Sequence, residues 1–256
     1  MFQATPETKA KPSTPAPTPA ILLGLPTRGT ISVETFNALQ AYHDGFRMAP
    51  ITSARLPVDQ ARNFIAAQMV AVAKIKPSED WLALWVDADA WWPPKTVAQV
   101  VAILQARPDI DLLAASFSTR LPFSPRVAFR KAGDPDSFPQ PGLDCEMGDL
   151  VEVERVGFHF VAHRVSLLTR LGSEPFATGW NGFSEDSAFC KRVRDVGGKI
   201  FCAPGLLVAH VDPNDGAAYL PGEPALRVEN NRLVRTGFTH MAPKNGEVRD
   251  YGIATS

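Results

Sequence analysis

The chain contains little cysteine and no long apolar segment, and each absence excludes a class of protein. Its 256 residues include 3 cysteines, Cys145, Cys190 and Cys202. They form neither an even disulfide framework nor a CxxC metal pair, so we expect a reducing, cytoplasmic location. The apolar run at 21–25 is too short for a signal peptide, and nothing approaches the ~20 apolar residues of a membrane span. We therefore expect no membrane span.

A strong charge of either sign is also missing. The 26 basic and 27 acidic residues leave a formal net charge of -1, so no overall field attracts nucleic acid or an anionic membrane. The hydrophobic fraction of 45% and the charged fraction of 21% are ordinary for a globular protein. The length suits one large domain with a sizeable core. No internal repeat is apparent, which excludes solenoids and propellers.

Strand and helix patterns alternate through the first half of the chain. Residues 1–19 are rich in proline, threonine, alanine and lysine, and this composition predicts a disordered tail. Strands are then predicted at 20–25, irregularly within 47–56, at the apolar run from residue 81, and at 110–115. Helices are predicted after an N-cap at Ser32, at 58–74, and after Pro93 and Pro94. This alternation predicts a doubly wound α/β sheet.

Each predicted helix has an apolar side. These sides are Val33, Phe36, Leu39 and Tyr42; then Ala61, Ile65, Met69 and Val72; then Val97, Val100, Val101 and Leu104. The second half is less regular and contains loops at 118–149 and 176–183, strands at 151–154, 157–162, 199–203 and 206–210, and a short helix at 164–171. A last helix follows an N-cap at Ser184, with Phe189, Val193 and Val196 on its buried side. Residues 213–256 are a C-terminal extension.

The most informative feature is an apolar run from Trp81 that ends in Asp87 and Asp89. A fully apolar run of this kind predicts a central strand covered on both faces, and ligands bind beyond the carboxyl ends of such strands. Side chains at i and i+2 of an extended segment point the same way, so both carboxylates are expected together. They repel each other unless a cation lies near, and a hard divalent ion satisfies that need. A solvated acidic turn is the alternative for this motif taken alone.

Six short motifs occur in an order that resembles a GT-A glycosyltransferase. They lie at 25–29, 61–63, 85–89, 156–161, 184–190 and 208–211. Within that fold the chain is most similar to compact glycosyltransferase-like proteins of bacteriophages, and the likeness covers roughly residues 20–212. The resemblance implies a GT-A (nucleotide-diphospho-sugar transferase) Rossmann-like sheet with helices on both faces. For a phage-encoded protein the location would be the host cytoplasm.

The resemblance also implies a metal site and an acidic motif. Asp87 and Asp89 match the DxD motif, in which Asp89 would bind Mn²⁺ or Mg²⁺ and Asp87 the donor ribose or the metal shell. His210 matches the late histidine that completes metal coordination. Glu185 and Asp186 match the acidic pair beneath the acceptor, and they are the catalytic candidates. As alternatives, acidic residues suit any helix N-terminus, and His210 could be a hydrogen-bonded histidine without a chemical role.

Further positions match segments that contact the donor nucleotide and the acceptor. Pro26, Thr27 and Arg28 match the segment that cradles the donor nucleotide, and Arg62 and Asn63 match a nucleotide- or phosphate-contacting pair. Arg62 could instead solvate the polar side of its helix. Acceptor contacts are expected from Trp180 and Asn181, although the Trp180 side chain could equally fill part of the hydrophobic core.

Other histidines and tryptophans are expected to be structural. His159 and His163 flank a predicted strand, and we expect both to be structural or surface residues and not ligands. The tryptophans at 85, 91 and 92 are expected to cover the sheet, although one ring could border the nucleotide.

The predicted function is metal-dependent transfer of a hexosyl or pentosyl group from a UDP- or GDP-sugar to an acceptor hydroxyl. A cation would stabilise the leaving diphosphate, and a carboxylate would take the acceptor proton in an inverting mechanism or orient the substrates in a retaining one. On the resemblance, the acceptor is a hydroxymethylated base in phage DNA. The alternatives are a surface glycan or protein acceptor, or a non-catalytic nucleotide- or glycan-binding module. Two sets of basic residues could meet DNA phosphates: Arg120, Arg126, Arg130 and Lys131, and Arg227, Arg232, Arg235, Lys244 and Arg249.

Overall fold

A computed structural model describes residues 19–41, 44–123, 128–129, 150–178, 184–230 and 232–235. In chain order its elements are β1 (Ala20–Thr27), α1 (Val33–Ala41), β2 (Met48–Ala54), α2 (Val58–Ile75), β3 (Trp81–Val86), β4 (Ala90–Trp91), α3 (Thr96–Ala106), β5 (Leu112–Ser116), β6 (Ala128–Phe129), β7 (Val151–Val153), β8 (Arg155–Val156), β9 (Phe160–Arg164), α4 (Val165–Leu171), α5 (Glu185–Asp195), β10 (Ile200–Leu207), β11 (Ala209–Val211), β12 (Ala217–Tyr219), β13 (Leu226–Glu229) and β14 (Arg232–Arg235). Residues 1–18 of the predicted tail at 1–19 and the acceptor candidates Trp180 and Asn181 lie outside the described residues.

The central layer is a mixed sheet of seven strands in the order β2-β1-β3-β9-β5-β10-β7. Neighbours β2, β1 and β3 are parallel, as are β5 and β10. Strand β9 lies between β3 and β5 and runs antiparallel to both, and β7 is antiparallel to β10. The α/β class is therefore confirmed, but the sheet is mixed. The difference arises because β9 inserts between two strands that are parallel to each other.

Helices pack on both faces of this sheet because its strands are buried on both sides. All six residues of β3 are buried, and alternate side chains enter different clusters. Leu82 and Leu84 pack in the cluster that contains α3, whereas Ala83 and Trp85 pack in the cluster that contains α2, α4 and α5. This confirms the prediction of a central strand from a fully apolar run.

Glycine at position 24 allows β1 to pack closely against a tryptophan of β3. A Cβ on Gly24 would lie 2.7 Å from Cε3 of Trp85 and 2.9 Å from Cε of Met69. Trp85 itself is fully buried, and its indole nitrogen donates to Nε2 of His163 over 2.9 Å. The structural role expected for His163 is thus confirmed, and the burial of Trp85, Trp91 and Trp92 agrees with the expected covering of the sheet.

The helices agree with the predictions except at two apolar sides. In α2 and α3 the expected inward residues are buried or half-buried. In α1, however, Val33 is 69% and Phe36 50% exposed, and Thr35 and Ala38 are buried instead. Thr35 tolerates burial because its hydroxyl bonds that of the N-cap Ser32 at 2.9 Å. Val196 is 41% exposed because α5 ends before it.

A second sheet, in the order β14-β13-β12-β11-β4, packs beside the first. Its strand β4 was not predicted, and it pairs antiparallel with β11 so that His210 lies opposite Ala90. Ala218, Leu226 and Leu233 of the later strands belong to the same core cluster as β3. The second sheet thus continues beyond residue 212, the expected end of the 20–212 glycosyltransferase domain, into the region predicted as a C-terminal extension. Within the described part of the chain, every helix is too short or too polar to cross a membrane.

Candidate metal centre and acidic site

The Asp87–Asp89 segment forms a tight turn at the carboxyl end of β3. The amide of Ala90 donates to the carbonyl of Asp87 over 3.2 Å, so the segment is not extended, and the predicted i, i+2 geometry is wrong. Neighbouring elements hold the turn: Asp87 N donates to His159 O at 3.0 Å and Ser32 N to Ala88 O at 2.8 Å. Both carboxylates nevertheless face one group, because His159 Nδ1 lies 3.4 Å from Asp87 Oδ2 and 3.7 Å from Asp89 Oδ1.

His159 is a buried histidine with one ring nitrogen aimed at the two aspartates. Its Nε2 lies 3.1 Å from the carbonyl oxygen of Ala209. A carbonyl only accepts, so in the neutral ring Nε2 carries the proton and Nδ1 carries the lone pair. Nδ1 has no hydrogen-bond partner among the residues that the structure describes. Sequence reasoning missed this residue, because only the pairing of β9 with β3 reveals that it lies beside Asp87.

His210 is oriented like His159, with one ring nitrogen at a backbone carbonyl and the other at a carboxylate, here that of Asp89. Its Nδ1 lies 3.2 Å from the carbonyl oxygen of Ser118, and its Nε2 lies 3.1 Å from Asp89 Oδ2. Burial, the neighbouring His159 and Arg120 together lower the pKa of His210 to about 3. The ring is therefore neutral at pH 7 and, with its Nδ1 proton on a carbonyl, directs a lone pair at the carboxylate.

Asp89, His159 and His210 form a group that can hold a metal ion. Each offers one ligand atom, and these atoms lie within 4.8 Å of one another. Metal-bound histidines commonly donate their second ring N–H to a backbone carbonyl, and both rings here do so. The unpartnered Nδ1 of His159 is also explained by a cation in this position. Arg120 also donates to Oδ2 of Asp89.

Arg62 links the aspartate turn to the start of α5. Its Nη2 donates to Asp87 Oδ1 over 2.8 Å, and its Nη1 donates to Glu185 Oε1. The guanidinium carbon lies 5.2 Å from the ring centre of Phe158 and 5.9 Å from that of Phe176. Arg62 is only 3% exposed. The alternative that it solvates the polar side of its helix is therefore wrong.

The two carboxylates that contact Arg62 have pKa shifts in opposite directions. Burial alone would raise the pKa of Asp87, but Arg62 and the protonated form of the His159 ring outweigh it and hold that pKa at about 2. Burial raises the pKa of Glu185, Arg62 offsets part of the rise, and the charges of Asp186 and Asp87 add to it. Asp87 thus stays anionic beside the metal group, whereas Glu185 is the more basic carboxylate.

Asp186 faces its own helical turn. Its Oδ1 accepts hydrogen bonds from the hydroxyl of Ser184 and, at 2.6 Å, from the amide of Ser187. Ser184 occupies the predicted N-cap position, but its hydroxyl bonds the side chains of Asp186 and Ser187. Glu185 and Asp186 are the two predicted catalytic residues. Of these, the structure places Glu185 in contact with Arg62, which also binds Asp87.

The other predicted positions lie around this group. Parallel pairing of β1 with β3 places Pro26, Thr27 and Arg28 at the sheet edge that carries Asp87. Thr27 Oγ1 accepts from the amide of Gly29 at 2.8 Å, and Arg28 is exposed. Asn63 points elsewhere, since its Oδ1 accepts from the amide of Phe176 over 2.8 Å.

Comparisons with known proteins show a shared fold. No family model matches the chain, and no curated protein matches it. The crystal structure of A197 from STIV is 15% identical, covers 86% of this chain and 100% of its own, and has a TM-score of 0.59. The structure of a glycosyltransferase involved in the glycosylation of the major capsid of PBCV-1 is 17% identical, covers 73% of this chain and 83% of its own, and has a TM-score of 0.43. The likeness to A197 shows the fold and leaves the activity open.

Proposed function

We propose that the chain is a GT-A glycosyltransferase that moves a sugar from a nucleoside-diphosphate donor to an acceptor hydroxyl with the help of a divalent cation. One observation carries the proposal. Asp89, His159 and His210 converge at the carboxyl end of β3, and a single guanidinium joins the adjacent Asp87 to Glu185. A metal group beside a basic carboxylate, at the ligand-binding edge of an α/β sheet, provides what this reaction requires.

The proposed metal ligands are Asp89, His159 and His210, with Asp87 beside them. The two imidazole nitrogens favour a transition-metal ion such as Mn²⁺ over Mg²⁺, which prefers oxygen ligands. When bound, this ion would neutralise the negative charge that grows on the departing nucleoside diphosphate.

The donor nucleotide would lie against the segment after β1. Arg28 is exposed there, so its guanidinium is accessible for charge-assisted hydrogen bonds to the donor phosphates. Arg62 is less suited to that role, because it is buried and both of its terminal nitrogens contact protein carboxylates. The UDP- or GDP-sugar inferred from the resemblance remains the proposed donor class.

Glu185 is the proposed base of an inverting transfer. The acceptor oxygen forms a bond to the anomeric carbon, the bond from that carbon to the diphosphate oxygen breaks, and the acceptor proton passes to the carboxylate. A raised pKa makes Glu185 a better proton acceptor than an ordinary glutamate. The acceptor proposed from the resemblance is a hydroxymethylated DNA base, and the exposed Arg227 and Arg232 of β13 and β14 are candidate phosphate contacts.

Thermal unfolding with manganese and nucleoside diphosphates tests the proposal. Mn²⁺ together with UDP or GDP is expected to raise the melting temperature, because a ligand that binds only the folded state stabilises it. Asp89→Asn is expected to abolish this gain, and the matched surface variant Asp195→Asn to retain it. Mass spectrometry of released diphosphate then identifies the donor from a panel of nucleotide sugars. A wild-type protein that gains no stability and releases no diphosphate would contradict the proposed function.

A further inference from the structure

Three separately predicted motifs meet at one side chain. Arg62 extends from α2 between the turn after β3 and the first residue of α5, where it contacts Asp87 and Glu185. These two carboxylates belong to the donor side and the acceptor side of the proposed reaction. We propose that Arg62 is a positioning residue: by binding one carboxylate with each terminal nitrogen, it fixes the separation and relative orientation of Asp87 and Glu185. This inference rests on the proposed function and assigns Arg62 a role other than binding donor phosphate.

The guanidinium is fixed in place by its surroundings. The Phe158 and Phe176 rings lie near it, at 5.2 Å and 5.9 Å from its carbon. The helix that carries it is anchored by Ile65 and Met69, both fully buried. A planar guanidinium group that has so little freedom to move imposes both the distance and the relative orientation of the groups that it binds.

The neighbouring Asn63 strengthens the same connection. Its Oδ1 accepts from the amide of Phe176, and the guanidinium of Arg192 on α5 donates to the carbonyl of Ala177 at 2.9 Å. The 175–178 segment is thereby tied to both α2 and α5. Two consecutive residues of α2 therefore hold this region in place: Asn63 binds the segment before α5, and Arg62 binds Glu185, the first carboxylate of α5.

Electrostatics explains why this position needs a delocalised cation. Asp87 and Glu185 repel each other when both are ionised, and the charge of Asp87 contributes to the raised pKa of Glu185. One guanidinium provides two separate N–H donors and so compensates both carboxylates at once. A lysine ammonium is a compact point charge and cannot reproduce this two-ended contact.

The geometry disfavours a phosphate-binding role. Nη1 and Nη2 each bond a carboxylate, and the remaining Nε is buried and without a hydrogen-bond partner among the described residues. Each terminal nitrogen keeps a second N–H, but the side chain is only 4% exposed, so a donor phosphate could reach it only if the residues that cover it moved. Breaking either buried carboxylate contact leaves a charge uncompensated and is costly.

Kinetics of Arg62→Lys and Arg62→Ala test the proposal, with Arg164→Ala as a matched control. Arg164 also uses its guanidinium inside the fold, donating to the carbonyl of Ile110, but it lies away from the site. Diphosphate release is measured with the donor found by the screen, and Mn²⁺-dependent UDP or GDP binding by thermal shift. For Arg62→Ala we expect kcat to fall by ~100-fold, as misplacement of reacting groups does, with the donor KM nearly unchanged.

Two further readouts separate positioning from general stability. Millimolar guanidinium is expected to restore part of the rate of Arg62→Ala, and Arg62→Lys to recover little of it. Arg164→Ala should lose stability but keep its kcat. A rise in KM at constant kcat would show that Arg62 binds donor phosphate and would overturn the proposal. A loss of rate fully explained by loss of folded protein would overturn it as well.

A double-mutant cycle keeps the test independent of activity. The unfolding equilibrium is measured in urea for Arg62→Met, Glu185→Gln and the double variant. A coupling of about tenfold in the unfolding constant is expected for side chains in direct contact. If the wild-type protein releases no diphosphate, the proposed function fails while a measured coupling still confirms the link. Additive effects of the two substitutions would refute the link itself.

Discussion

Nε2 of His210 lies 3.1 Å from Oδ2 of Asp89, although 121 residues separate the two positions in the chain. The short strand β4 brings them together, because it directly follows the aspartate turn and pairs with the strand that carries His210. The amide of Val211 also donates to the carbonyl of Asp89 over 2.8 Å. The group formed by Asp89, His159 and His210 is therefore built where the second sheet joins the central one, so that both sheets fix the positions of its side chains.

The first prediction concerns His159. His159→Ala removes a buried ring nitrogen from the proposed Asp89–His159–His210 metal site. We expect Mn²⁺ affinity to fall by at least ~100-fold, because replacing a residue that merely supports a metal ligand already costs up to that much. Titration calorimetry or the electron paramagnetic resonance signal of free Mn²⁺ measures the change. His163→Ala is the matched control, because this buried histidine bonds Trp85 instead. Equal losses in both variants would contradict a ligand role for His159.

The sequence contained enough information for the regular elements and, through the resemblance, for Asp89 and His210 of this group, but not for His159. Helices α2 and α3 follow from apolar side chains at helical spacing, and β3 follows from its unbroken apolar run. Strand β4 has two residues, too few for any periodicity. The antiparallel insertion of β9 depends on pairing between distant segments, for which no local pattern exists. His159 owes its position to that pairing, so its place beside the two aspartates could not be predicted.

A similar limit applies to how α3 begins. The prolines at 93 and 94 predicted a helix start, but the helix begins at Thr96. The carboxylate of Asp44 accepts from the amide of Lys95 at 2.9 Å and from that of Ala98 at 3.0 Å. This cap comes from a residue far away in the chain, so a local capping pattern could not reveal it.

The second prediction ranks the two acidic residues of α5. Glu185→Gln should lower diphosphate release by ~10²-fold or more, because it removes the proposed base, whereas Mn²⁺-dependent nucleotide binding should persist. Asp186→Asn should have the smaller effect, since Asp186 mainly bonds Ser184 and Ser187. Steady-state kinetics of the two variants side by side gives the ranking. The reverse order would assign the base to Asp186.

The third prediction concerns stability in acid, measured with a chelator present. Asp87 has a pKa lowered from 3.8 to about 2, so its contribution is present above pH 3.8 and is lost as the pH falls through about 2. A shift of this size corresponds to about 2 kcal/mol at neutral pH. We expect Asp87→Asn to be less stable than the wild type by at least this amount at pH 7, and the difference to vanish towards pH 2.

Urea unfolding followed by circular dichroism at a series of pH values measures this difference. Asp195→Asn is a suitable control, because Asp195 is 55% exposed and, among the described residues, its ion-pair partner is Lys191 on the helix surface. Its stability should follow that of the wild type at every pH. A constant gap between Asp87→Asn and the wild type down to pH 2 would show that the loss has no electrostatic origin.

The last prediction tests the close approach of β1 to Trp85. Gly24→Ala places a Cβ 2.7 Å from Cε3 of Trp85, and neither the buried indole nor the adjacent strand can move away freely. Overpacking of this kind costs about 1–3 kcal/mol, so the midpoint of thermal unfolding should fall. Trp85→Phe removes the ring atoms that would clash, although it leaves a cavity of its own. If the contact is the cause, adding Gly24→Ala to Trp85→Phe should cost much less than adding it to the wild type. Equal costs in the two backgrounds would instead place the strain at Met69, whose Cε lies 2.9 Å from the added Cβ, or in the backbone of β1.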